Sequence, residues 1–133
     1  MTRRAVRSAV RRRADARCEY CHFREEHLPL WPFHLDHIVA RQHQGRGALS
    51  NLAWACQRCN LLKGTNLSGL DPDSGKIVRL FNPRTEQWGD HFTMRRYRIV
   101  GTTASGRATV WLLQMNSPQR LALRSLLQQD GRW

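Results

Sequence analysis

Residues 34–64 read HLDHIVARQHQGRGALSNLAWACQRCNLLKG. This stretch holds an acid–imidazole pair (Asp36, His37), an amide (Asn51), a Cys-x-x-Cys knuckle (Cys56, Cys59), a second amide (Asn60) and a lysine (Lys63). A matching knuckle, Cys18-Glu-Tyr-Cys21, lies upstream. Two cysteines spaced in this way can face one ion from a tight turn, and two such pairs make a closed tetrahedral thiolate set. We expect a structural Zn²⁺ held by Cys18, Cys21, Cys56 and Cys59, with no open position for chemistry. Redox motifs of the Cys-x-x-Cys kind come singly, and no secretory signal precedes the knuckles to favour disulfides.

The local pattern around the knuckles is short. Leu35–Val39 is an apolar run suited to a strand, and residues 42–50 with their two glycines read as a loop. Asn51–Ala55 is a second strand candidate. A short helix from about Cys56 to Lys63 is stopped by Gly64, a residue type suited to the position after a helix. The order is strand, loop, strand, short helix.

Hydrolysing a phosphodiester needs an activated water, charge stabilisation on the phosphoryl oxygens and support for the leaving oxygen. Histidine is the neutral-pH base, and a hard divalent ion prefers carboxylate and amide oxygens. Asp36, His37 and Asn60 are the matching residue types. On a regular strand Asp36 and His37 point to opposite faces, so the strand must end or bend at this pair. Asn60 follows a zinc ligand directly, which would fix its place. Lys63 lies three residues further on the same helix face, where it would reach a neighbouring phosphate. Asn51 sits at a loop–strand junction, where a buried amide would hold the loop backbone and orient His37.

At these residues the chain resembles the HNH endonuclease family, in its cysteine-bearing branch. The resemblance runs through Cys18-x2-Cys21, Asp36-His37-Ile38, Asn51-Leu52, Cys56-x2-Cys59-Asn60 and Lys63-Gly64, and covers residues 18–66. It implies a ββα-metal (treble-clef-like) core and DNA cleavage leaving a 5′-phosphate. It also implies His37 as general base, Asp36 and Asn60 as ligands of a catalytic Mg²⁺ or Mn²⁺, and Asn51 as a positioning residue. Two departures concern loop shape: Val39-Ala40 stands where proline is common, and the usual Gly-Gly is split as Gly45-Arg46-Gly47. Residues 65–115 resemble an extension of some bacterial members, to which no chemistry attaches.

The rest of the chain supports a polyanion partner. Its 133 residues carry 22 Lys+Arg against 10 Asp+Glu, a net charge of +12, the footprint of a protein that meets nucleic acid. All but Lys63 and Lys76 of those cations are arginine, whose fork suits phosphate oxygens; genome composition could also produce that ratio. With Lys63, Arg41, Arg46 and Arg58 are the candidate DNA contacts. Residues 2–17 read as a basic helix with Val6, Ala9, Val10 and Ala14 on one stripe and Arg4, Arg7 and Arg11 on another. The arginine face is either solvated or phosphate-contacting; an organelle presequence is less suited, because the helix runs straight into the first knuckle.

Beyond Asn66 the character changes. Residues 71–75 form a turn, Ile77–Phe81, His91–Met94 and Tyr97–Val100 suit strands, and Ala104, Ala108, Trp111, Leu112 and Met115 fall at helical spacing. Ser117-Pro118 opens a final helix carrying Leu123, Leu126 and Leu127 and ending at Gly131. The apolar positions are read as core. The chain is therefore expected to be a single α+β domain: basic helix 1–17, nuclease core 18–66 and a strand-plus-helix extension 67–133. No run of about 18 apolar residues is present, so no membrane partner is expected, and a cytoplasmic location follows from the lack of a signal.

Several other residues suit plainer roles. His34 suits a partly exposed strand histidine more than an extra ligand, and His22 and His27 suit the surface. His43 sits in the glycine loop near a possible phosphate. Asp90-His91 repeats the acid–imidazole pair without the downstream amide and knuckle, and reads as a decoy. Tyr20, Trp31 and Trp54 could stack on bases, but packing beside the knuckles is the simpler role. The leading reading is a metal-dependent DNA endonuclease. The alternatives are a non-catalytic zinc module that binds nucleic acid through arginine, and an interaction protein with a decayed site; the joint presence of Asp36, His37 and Asn60 argues against both.

Overall fold

The computed structural model describes all of residues 1–133. The chain gathers into two compact units: residues 1–67 with 82–86, and residues 68–81 with 87–133. Both are small and mixed, built from helices and two-stranded antiparallel sheets.

The first unit opens with α1 (Arg3–Arg13), shorter than the basic run implies. Thr2 caps it, accepting from the Ala5 amide at 3.0 Å. It stops because Asp15 and Ala16 both take positive φ, 56° and 53°, which turns the chain into the first knuckle. Val10 is its fully buried residue. On the arginine face Arg7 and Arg11 make contacts within the unit, while Arg4 and Arg11 are exposed. Arg7 lies 4.6 Å over the Trp54 ring and donates to the Phe33 carbonyl at 2.8 Å. Arg11 pairs with Glu25 at 2.7 Å, and Arg13 donates to the Leu49 and Leu52 carbonyls. These are packing and docking contacts, in which the aliphatic stem covers apolar surface and the fork satisfies carbonyls.

Strands β1 (His34–His37) and β2 (Leu52–Ala55) pair antiparallel, with Asp36 opposite Ala53 and His37 opposite Leu52. Each is one residue shorter than its expected run, and β1 starts one residue earlier and ends two residues earlier than expected. All four residues of β2 are buried, because α1 packs on β2 while Phe33 meets Trp54 at a ring distance of 6.2 Å. Helix α2 (Gln57–Lys63) follows at once. It ends at Gly64, whose φ of 51° lies in the left-handed region that glycine occupies without a Cβ penalty.

The second unit holds the hairpin β3 (Ser68–Leu70) and β4 (Ile77–Arg79), a one-turn α3 (Trp88–His91), and the hairpin β5 (Phe92–Arg95) and β6 (Arg98–Gly101). Helices α4 (Ala104–Leu112) and α5 (Pro118–Gln129) complete it. Pro118 starts α5 as its sequence suggests, although Ser117 makes no side-chain cap. Strand β3 and α3 escape the sequence reading, since neither three nor four residues carry a period. Two apolar assignments also fail: Trp111 is 68% exposed and Leu126 58%, so the faces of α4 and α5 turn them outward. Fully buried Arg124 takes core space instead, donating to the Tyr97 carbonyl at 2.6 Å and to the Met115 carbonyl.

Candidate functional site

Everything at the candidate site lies in the first unit. The four cysteine sulfurs all fall within 4.8 Å of one another, and the residues are buried. Cys21 Sγ and Cys56 Sγ are 3.7 Å apart, far beyond the roughly 2.05 Å of a disulfide. With Zn–S bonds of about 2.3 Å, tetrahedral sulfurs stand about 3.8 Å apart. Each knuckle also folds an amide onto its first thiolate: Cys21 N to Cys18 Sγ at 3.5 Å, and Cys59 N to Cys56 Sγ at 3.4 Å. The cluster is consistent with structural zinc. Cys56 is at once cluster member and N-cap of α2, so the metal site sets where that helix begins.

An open groove of about 340 Å³ runs beside β1 and α2, lined by Leu35, Asp36, His37, Ala40, Arg41, Asn60, Leu61 and Gly64. It brings Asp36, His37 and Asn60 to one surface. The strand ends at His37, which meets the condition for adjacent strand residues to share a site. Asn60 is half-buried, and His37 Nε2 is buried without a hydrogen-bond partner. Burial pushes the His37 imidazole below its usual pKa, and the Arg41 guanidinium pushes it further. It is therefore a neutral ring at pH 7.

Asp36 sits deeper than the sequence suggests, at 3% exposure. Tyr20 Oη donates to its Oδ2 at 2.6 Å, and Lys63 Nζ stands 3.2 Å from its carboxylate. Burial raises the Asp36 pKa, while Lys63 and Tyr20 pull it back. A carboxylate offers about four lone-pair directions, so these partners leave acceptor capacity toward the groove. The Asp36 carboxylate and the Asn60 amide oxygen suit a hard divalent ion with oxygen preference.

Lys63 corrects an expectation. Rather than reaching a phosphate, it is 2% exposed. Its ammonium donates to Asp36 and to the His37 and Ile38 carbonyls at 3.1 and 3.2 Å. An ammonium has three donors, and all three are used where β1 ends. Among the other basic candidates, Arg41 and Arg46 are exposed, while Arg58 is half-buried.

Asn51 clasps the loop. Its Oδ1 accepts from Val39 N at 2.9 Å, and its Nδ2 donates to Val39 O at 3.0 Å and to Arg46 O at 2.7 Å. Its own carbonyl accepts from Ile38 N at 2.9 Å. The amide therefore holds the two residues after His37 without touching the ring. The split glycines have different roles. A Cβ on Gly45 would stand 1.6 Å from the Val39 carbonyl oxygen, whereas one on Gly47 meets only His37 Nε2 at 4.0 Å.

The remaining histidines and aromatics divide as follows. His34 is half-buried in β1, and exposed His43 contacts the Thr65 carbonyl at 3.1 Å. His27, expected at the surface, is buried, and its Nδ1 accepts from Arg24 N at 3.0 Å. His22 is held near pKa 3 by burial and by Arg17 and Arg24. His91 bonds Thr103 at 2.7 Å and packs on Phe81 in the second unit, a structural role. Tyr20 and Trp54 are buried, and Trp31 is 63% exposed. Tyr20 is the site residue that sequence reasoning missed. Its position inside a knuckle was a signal for packing, but not for a hydrogen bond to Asp36.

The family model for HNH endonucleases matches residues 18–66. Residues 18–66 are thus similar to HNH endonucleases. The HNH match takes in both knuckles, both strands and α2. Over 124 residues the chain is 25% identical to the Septu protein PtuB of Bacillus thuringiensis, covering 92% of this chain and 45% of that protein. The chain thus spans less than half the length of this curated relative. No solved structure matches.

Proposed function

We propose that the chain is a metal-dependent DNA endonuclease that hydrolyses phosphodiester bonds in the groove beside α2. The observation that carries this reading is that Asp36, His37 and Asn60 line one groove inside a segment similar to HNH endonucleases. Asp36 and Asn60 would hold a divalent ion. When bound, that ion would supply charge stabilisation for the phosphoryl group and the departing oxygen. His37 takes the proton from the attacking water: its ring is neutral at pH 7, and its Nε2 is not spent on any protein group. Burial raises the Asp36 pKa, and Lys63 and Tyr20 work against it by favouring the carboxylate form. Asn51 fixes the backbone immediately after His37, and so the orientation of the base. Exposed Arg41 and Arg46 lie on the loop between the strands, where they contact the DNA backbone.

The test is plasmid nicking by purified protein with Mg²⁺, Mn²⁺ or no added ion. We expect ion-dependent nicking that falls at least about 100-fold in His37→Ala, the upper part of the usual range for a general base. Unchanged nicking by pure, folded His37→Ala would overturn the proposal. Absence of cleavage with any ion, alongside salt-sensitive DNA binding, would favour a zinc-stabilised binding module instead.

A further inference from the structure

The turn between β5 and β6 reads Arg95-Arg96-Tyr97-Arg98, and all four residues are exposed. Three of its features oppose stability. Arg95 and Arg98 stand directly opposite each other in the hairpin register, and like charges in that relation are unfavourable. Arg96 takes φ 57°, a conformation that costs a side-chain-bearing residue energy and that glycine or asparagine would adopt more easily. None of the three guanidiniums meets a carboxylate, although Arg107 in the same unit is paired to both Asp71 and Asp73.

Yet the turn is held firmly. Arg124 donates to the Tyr97 carbonyl at 2.6 Å, and Gln128 donates to the Arg96 carbonyl at 2.7 Å, both from α5. Both central carbonyls are thus tied inward while the side chains project outward. Local strain that the surroundings keep in place is a mark of a functional position.

We propose that this turn is a second nucleic-acid contact, in which Arg95, Arg96 and Arg98 grip backbone phosphates and Tyr97 covers a sugar or base. Arginine rather than lysine at all three positions suits bidentate phosphate binding, and an exposed aromatic between cations suits nucleic acid. The inference rests on nucleic acid being the partner of this chain, but not on the chemistry of the 34–64 groove.

The test measures binding of a short fluorescent DNA duplex by the full zinc-loaded chain, without added Mg²⁺, across a salt series. The double variant Arg95→Thr/Arg98→Thr removes two phosphate contacts, so the slope of log K against log salt becomes shallower by about 1.8. A control, Lys76→Thr/Arg79→Thr, removes the same charge from exposed positions of the same unit and should move the slope by well under half as much. Arg96→Gly should weaken binding while leaving the melting temperature unchanged or higher. Equal slopes for the double variant and wild type, or equal changes in the double variant and its control, would overturn the proposal. Because no cleavage is read, this result stands apart from the nicking assay.

Discussion

Tyr20 shows how a single hydroxyl links a structural site to a chemical one. It belongs to the first knuckle, and it donates to the carboxylate that lines the groove. Removing that bond in Tyr20→Phe withdraws a contribution that lowers the Asp36 pKa. The carboxyl then protonates at higher pH, so the acid limb of the nicking rate should move upward, while zinc content stays at one per chain. A pH–rate series on both proteins checks this. In the wild type the His37 shift runs downward, so protonation of the ring by itself should cost activity only below about pH 6.5, the ordinary imidazole value. Lys63 gives a contrasting case. Lys63→Met strands a buried carboxylate, a change that costs about 3–5 kcal/mol and is read as a lowered unfolding midpoint. Had Lys63 been a phosphate contact, the same substitution would alter the salt dependence of binding and leave stability alone. The sequence put Asp36, His37 and Asn60 on a short list because their chemistry is visible in the residue types. It misassigned Lys63 because a lysine near a polar motif looks alike whether its stem points out or in.

At the scale of elements, the loop from Val39 to Ser50 has two fixed points, the Asn51 clasp and the close approach of Gly45 to Val39. Gly45→Ala cannot be accommodated without moving the Val39 carbonyl, to which Asn51 Nδ2 also donates. We expect it to cut nicking at least about 10-fold, as a loss of placement of the base, whereas Gly47→Ala should stay within about 2-fold. Comparative kcat values on folded variants decide this. The split of the glycine pair is thus a requirement for one glycine only. Legibility varied among elements in the same physical way. Helix α2 and the start of α5 were readable because Gly64 and Pro118 impose backbone conformation locally. β3, α3 and the outward turn of Trp111 were not, because their state depends on packing partners distant in sequence. The arginines of α1 were legible as a face but not as a role: that Arg7 lies on Trp54 and Arg13 on the Leu52 carbonyl of β2 is information held by the fold.

For the whole molecule, the division into two units assigns different sources of stability. The first unit contains the thiolate cluster, and the second contains none. The second is tied instead by interior polar contacts, among them the fully buried Asp71, whose carboxyl the Arg107 fork holds well below its usual pKa. Zinc removal should therefore raise hydrogen exchange in peptides from residues 18–66 while those from α4 and α5 keep their protection. Mass spectrometry of the exchanged protein resolves the two sets. The cysteines that would hold this metal are at most 1% exposed, whereas Asp36 and Asn60 border an open groove. Two ions in one chain would then differ in how fast they exchange. A brief EDTA quench should strip the groove alone and be reversed by fresh Mg²⁺. Prolonged warm chelation should reach the thiolates through unfolding and leave a protein that Mg²⁺ no longer rescues.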